Sequence, residues 1–222
     1  MRSSLFDIYS VKSYSQEGED MILQRIFECQ STGFYVDVGA HHPRRFSNTY
    51  FFYKRGWSGI NVDAMPGSMK LFNIFRPRDI NIEAAIADSS KTYTFYIFNE
   101  PALNTFDPIL AAQRNPEKYQ IIDQREIRTT TLLNILKDNL SQDREIDFLS
   151  VDVEGFDLEV LSSNDWNMFR PRYVLIEQYK FDFENSGKSE IYQFMKSQNY
   201  ILFSRTMNTS IFRDACDEQI RA

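Results

Sequence analysis

The chain has 222 residues, 42% hydrophobic and 25% charged, the composition of one ordinary globular domain with a core of its own. Its formal charge is -6, and Arg44–Arg45 and Arg76–Arg78 are short pairs rather than a basic stripe, which excludes nucleic acid as an expected partner. Cys29 and Cys216 are too few for a disulfide framework, and MRSSLFDIYSVKSYSQEGED holds no apolar run for a signal peptide or membrane span, so a cytoplasmic protein is expected.

Along the chain, Ser15-Gln16-Glu17-Gly18-Glu19-Asp20 precedes MILQRIF and places acids at the positive end of an apolar-faced helix. A short apolar strand over 34–38 follows. It runs into a turn holding both histidines, His41 and His42. Next come a helix around 47–55, a strand over 58–63 ending in Asp63, and a helix from Pro66 to about Phe75. A third strand is expected near Ile80–Ile86, and TYTFYIF at 92–98 reads as an inserted strand. Residues 99–120, broken by Pro101, Pro108 and Pro116, form the longest expected loop. A strand near 121–128 leads into TTLLNILKDNL, an amphipathic helix with threonine at its start. Ile146–Val151 and Tyr173–Ile176 are buried strands ending in Asp152 and Glu177, with EGFDLEVL as helix between them. Residues 190–197 read as helix, and 200–204 with 209–213 as a closing hairpin.

Strands that are apolar throughout and alternate with helices imply a mostly parallel sheet with helices on both faces, closed here by an antiparallel hairpin. In such sheets ligands bind beyond the carboxyl ends of the strands. Asp37 to His42, Asp63, Asp152 to Glu154 and Glu177 all fall at such ends, so one shared cleft is expected. The 19 Phe and 12 Tyr suit an aromatic core, and the alternative is stacking faces for a sugar ring, with Tyr179 compatible with such a pocket.

The turn Gly39-Ala40-His41-His42-Pro43-Arg44 keeps one glycine of G-x-G-x-x-G. Side chains at His41 and Arg44 obstruct a pyrophosphate, which disfavours NAD and FAD. S-adenosylmethionine carries ribose and adenine without phosphate and tolerates this turn. Asp63, 24 residues after Gly39, stands where an acid grips ribose hydroxyls, and Asp37 is a further cofactor-side acid. Each has a simpler role available, as a strand-end cap or a turn carboxylate. Asp152 and Glu154 are the acidic candidates for deprotonating an acceptor, with Gly155 allowing a sharp turn. His42 is the other candidate base, while His41 suits a cofactor contact. Glu177 could order a substrate, and Asp152, Glu154 and Glu177 together could hold Mg²⁺.

SYSQEGED, GFYVDVGAHHPRRFSNTYFFYKRGW, GINVD, IDFLSVDVEGFDLEVL and YVLIE, in this order from about Ser13 to Glu177, resemble the FkbM-type methyltransferases. The resemblance implies a Rossmann-like class I fold with a seven-stranded sheet and S-adenosylmethionine-dependent methylation of a sugar, glycan or natural-product hydroxyl. It implies a cofactor pocket including Gly39, Ala40, Asp63 and Ala64. It also makes residues 1–30 a helical segment whose Gln16 and Glu17 form a lid over the methionine moiety, and puts the 99–120 loop on the substrate side. His41 replaces the family's usual Asn, and Ala64-Met65-Pro66 replaces a commoner acid-containing pattern. Two further readings compete: a methyltransferase fold retained as a binding module, and a metal-dependent phosphodiesterase or nuclease built on the carboxylates.

Overall fold

The computed structural model describes residues 9–114 and 116–217, so the first eight residues of the 1–30 segment lie outside them. Helix α1 spans Glu19–Ile26, followed by strand β1 (Phe34–Val38), α2 (Tyr50–Lys54), β2 (Ser58–Asp63) and α3 (Met69–Phe75). Then come β3 (Ile80–Glu83), β4 (Ala85–Ile86), β5 (Thr92–Phe98), α4 (Pro108–Gln113), β6 (Ile121–Thr130) and α5 (Leu132–Asn139). The chain continues through β7 (Phe148–Val151), α6 (Asp157–Ser162), β8 (Tyr173–Glu177), α7 (Glu190–Ser197), β9 (Tyr200–Arg205) and β10 (Thr209–Asp214).

Seven strands form one sheet in the order β3-β2-β1-β7-β8-β10-β9, parallel except for β10, which runs antiparallel to β8 and β9. This is the expected α/β, Rossmann-like class I arrangement, with the C-terminal hairpin at one edge. The expected third strand divides. Ala84 donates its N–H to the Asp63 carbonyl (3.0 Å), after which β4 leaves the main sheet and pairs with β6. β5 and β6 complete a second, three-stranded sheet that projects as an insert. The 99–120 stretch is correspondingly less irregular than expected. It contains a 3₁₀ turn at Pro101–Leu103 and α4, whose Asp107 cap accepts from the Ile109 N–H (2.7 Å).

Alternation along the strands fills both faces. Val36 and Val38 of β1, Leu149 and Val151 of β7, and Val174 and Ile176 of β8 pack one core with α5, α6 and α7. Tyr35, Phe148, Tyr173 and Leu175 point the other way, against Leu23 of α1, Phe27 just after it and Phe52 of α2. That second core is built of rings: Phe52 lies 4.8 Å from Trp57 and 5.1 Å from Phe148 between centroids, and Phe27 lies 5.2 Å from Trp57. Much of the aromatic content is therefore structural.

Beneath the β1–β2 end of this core lies a polar network. Arg76, fully buried just after α3, donates Nε to Asp79 (2.8 Å), Nη2 to the Tyr35 hydroxyl (2.7 Å) and Nη1 to Thr49 (2.9 Å). Asp79 also accepts from Tyr35, the Gly59 N–H and Asn61. Thr49 in turn donates to Asp37 (2.9 Å). Burying these charges is tolerable because each is paired and hydrogen-bonded, and removing one partner strands the other. Arg76→Leu is therefore expected to lower the unfolding free energy by about 3–5 kcal/mol in urea titrations.

Candidate functional site

The sheet order reverses between β1 and β7, and a cleft opens beyond their carboxyl ends, as expected at such a switch point. Gly39 follows β1 with φ +82°, and a Cβ there would lie 1.7 Å from the Asp152 carbonyl oxygen. Only glycine fits. The close approach lets Asp152 donate its N–H to Val38 (3.0 Å), while the Gly39 and Ala40 N–H groups reach the Val62 carbonyl (2.9 and 3.0 Å). Three strand ends are thereby cinched around a cavity of about 560 Å³, a volume that suits a small-molecule ligand.

Gly39, His41, His42, Asp63, Ala64 and Gln16 line this cavity, as do Asp152, Glu154 and Tyr179. The structure thus brings most of the sequence-derived residues together. Ala40 lies just behind, buried with Met69 and Phe72. Asp63 uses both carboxylate oxygens to shape the wall, accepting from the His41 N–H (2.9 Å) and the Met65 N–H (2.8 Å). Burial raises its pKa. Apolar side chains of Met65, Leu71, Ile86, Phe95 and Phe106 complete the cavity, together with Glu100–Asn104 and Tyr119 of the insert.

Two residues are placed differently from the others. Asp37 does not reach the cavity: it is buried on the α2 side and bonded to Thr49, with its carboxyl pushed up to about 6 by burial. His42 lines the cavity, but its Nδ1 accepts from the backbone N–H groups of Arg44 (3.1 Å) and Arg45 (3.0 Å). A ring whose Nδ1 is an acceptor carries its proton on Nε2, so the remaining nitrogen is a donor rather than a base. Burial and the two arginines also lower its pKa.

His41 adopts φ +52°, a left-handed conformation in which Asn and Gly are the less strained residues. Its ring lies parallel to Phe46, 6.3 Å away. Burial pushes its pKa down to about 4, so the ring is neutral, and its buried Nε2 has no hydrogen-bond partner. That orphaned nitrogen on a cavity-lining residue suits a polar ligand group.

The opposite wall is acidic. Asp152, Glu154 and Glu177 each place an oxygen within 4.8 Å of the others. Burial and then the Glu177 charge drive Asp152 well above the usual carboxylate range. Burial and the Asp152 charge push Glu154 up to about 8, against the pull of Arg114. Glu177 rises to about 8 through burial and Glu154, but it stands behind Asp152, on a smaller crevice with Glu17 and Glu19. Burial and the carboxylates of Glu154 and Glu177 hold the Tyr179 phenol strongly un-ionised.

Three further participants escaped the sequence reading. Asp157 turns back to accept from Val153 and Gly155 N–H groups (3.3 and 3.2 Å), fixing the loop that carries Glu154. Arg114, after α4, donates to Glu154 (2.5 Å), while Thr105 donates to the Glu154 carbonyl (2.6 Å). The insert therefore holds Glu154, itself at φ +54°, from outside.

At the N-terminal end, the acids of SYSQEGED do more than face a helix dipole. Asp20 accepts from Ser13 (2.6 Å), the Tyr14 N–H (2.7 Å) and Ser15 (2.8 Å). Glu17 accepts from the Asn208 N–H (2.8 Å) and Thr206 (2.8 Å) of the hairpin turn, presenting Gln16 to the cavity.

The family model of the methyltransferase FkbM domain matches residues 37–202. A search of curated proteins finds no match. Among solved structures, a TehB-like SAM-dependent methyltransferase from Corynebacterium glutamicum aligns over 89% of this chain and 88% of that one, at 8% identity and a TM-score of 0.42. That likeness is distant.

The raised carboxylates fix the direction of the pH response. Native Glu177 keeps its proton to about pH 8, whereas the unfolded side chain loses it near 4.5. The native state then binds more protons across this window, so stability falls as pH rises through it and levels off above. Denaturant midpoints measured across the window are expected to decline in the wild type and to decline less steeply in Glu177→Gln, where Asp152, Glu154 and Asp157 still titrate.

Proposed function

The chain belongs to the methyltransferase FkbM family, and we propose that it transfers a methyl group from S-adenosylmethionine to a hydroxyl of a sugar, glycan or related small molecule. One observation carries this reading: the Gly39 turn, Asp63 and the Asp152–Glu154 loop converge on one cavity at the switch point. Its residues fit the cofactor. Asp63 is the proposed ribose ligand, the unpartnered His41 Nε2 offers a polar contact, and Met65, Leu71 and Ile86 suit an apolar wall for adenine. Ala64 and Gln16 complete the proposed cofactor side.

When bound, S-adenosylmethionine supplies an electrophilic methyl group on a sulfonium. The chain's own part is alignment and proton removal. Glu154 is the proposed base, because a carboxyl with pKa about 8 can take a proton near neutrality and still be partly ionised beforehand. Arg114 orients it and stabilises its charged form. Burial and the Asp152 charge raise its basicity. Tyr179, on the cavity rim, suits stacking against the acceptor, and the insert supplies the substrate-side wall.

Mg²⁺ held by Asp152, Glu154 and Glu177 is a second reading, favoured by the spacing of their oxygens. Full turnover in chelator rules it out.

Calorimetry is expected to show binding of S-adenosylmethionine and of its demethylated product; a folded sample that binds neither overturns the reading. Asp63→Ala should weaken that binding about tenfold or more. Glu154→Gln should leave it nearly unchanged while lowering kcat by about 10²–10⁴, read by labelled-methyl transfer to candidate glycans.

A further inference from the structure

Charge is distributed unevenly in this acidic chain. Between Gly39 and Ile82 it carries seven cations against two carboxylates, Asp63 and Asp79, although its total is -6. Both carboxylates are committed to internal hydrogen bonds. Of the cations, Arg76 is buried and Arg45 is paired with Glu100, whereas Arg44, Lys54, Arg55, Lys70 and Arg78 are exposed.

Ring contacts tie Arg44 and Lys54 to one face. Arg44 lies over the rings of Phe75 (4.1 Å) and Tyr50 (5.7 Å). Tyr50 meets Tyr14 edge-on at 4.8 Å, and Lys12 and Lys54 both approach the Tyr14 ring, at 5.0 and 5.2 Å. Helix α3 supplies the apolar part. Met69 and Phe72 point into the protein, while Leu71, Ile74 and Phe75, at the i, i+3, i+4 spacing of one helical side, point out with 44%, 68% and 38% exposure. An outward apolar ridge on a short helix, rimmed mainly by cations and with one acid beside it, Glu83, engaged by the Gly67 N–H (2.6 Å), is the pattern of an interfacial membrane element.

We propose that this face docks on an anionic lipid bilayer, with Ile74 and Phe75 entering the headgroup boundary and the surrounding lysines and arginines meeting lipid phosphates. Charge complementarity selects this occupant. A second copy meeting the face by two-fold symmetry would oppose cations to cations. Nucleic acid would satisfy the cations but leave the aliphatic ridge in water. Docking is peripheral: among the described residues no helix is long and apolar enough to cross a bilayer. Leu71 also lines the cavity, so docking would bring its mouth to the lipid surface. The inference does not depend on the proposed reaction.

Sedimentation with phosphatidylcholine vesicles, with and without phosphatidylglycerol, tests it on the full chain. The wild type should bind the anionic vesicles at least about tenfold better than the neutral ones, with the difference lost in high salt. Ile74→Ser, and separately the pair Lys54→Gln and Arg55→Gln, should each reduce that binding while circular dichroism stays unchanged. Equal binding to both vesicle types, no binding, or variants that bind like the wild type would overturn the proposal. So would self-association abolished by Ile74→Ser, which assigns the face to a second copy, or DNA binding that is insensitive to Ile74→Ser and displaces the vesicles.

Discussion

The cleft depends on how closely two strand ends approach each other. Where β1 ends, the backbone of Gly39 passes the Asp152 carbonyl at a distance no side chain allows, with a φ that suits glycine. This one contact sets the register of everything around it. It seats the Asp152 N–H on Val38 and the turn amides on Val62, and it places Asp63 where its carboxylate can brace the turn from the far side. The loss of the other glycines of a dinucleotide motif is consistent with this geometry: the turn closes on a neighbouring strand and on Asp63, with side chains standing where a pyrophosphate would approach.

Across the cavity the constraint is electrostatic. Asp152, Glu154, Asp157 and Glu177 are drawn together in a region largely withdrawn from water, and Arg114 is the cation that bonds to the group. Low dielectric makes several simultaneous charges expensive, so protons are retained well into the neutral range. A main-chain conformation unusual for glutamate, the return bonds from Asp157 and the reach of Arg114 together hold Glu154 in place. The insert is thus part of the site's machinery rather than an ornament on the fold.

The parallel strands were legible because they are apolar throughout, and β1, β2 and β8 begin where the sequence places them. The division of the third strand was not, since INIEAAI has no glycine or proline to mark the break, and the partners that separate its halves, Asp63 for Ala84 and β6 for β4, are remote in sequence. Asp37, expected on the cofactor side by its proximity to the glycine, is bonded to Thr49 instead of lining the cavity. Strand parity places it on the face of Tyr35, toward α2, away from the ligand side. His42 has a local signature in its spacing to Arg44 and Arg45, where a ring nitrogen can accept two turn amides. Arg114 has none: a lone arginine in a long connection acquires its partner only when the insert folds back.

The buried network around Arg76 also has an evolutionary consequence. Every member is defined by the others, so replacing one strands a charge or a hydroxyl elsewhere, and departure requires several coordinated changes. Outward Ile74 of the adjoining α3, 68% exposed, owes nothing to the core and can change singly. One short helix and the turn after it therefore combine an inner side nearly frozen against drift with an outer side free to follow whatever surface the protein meets.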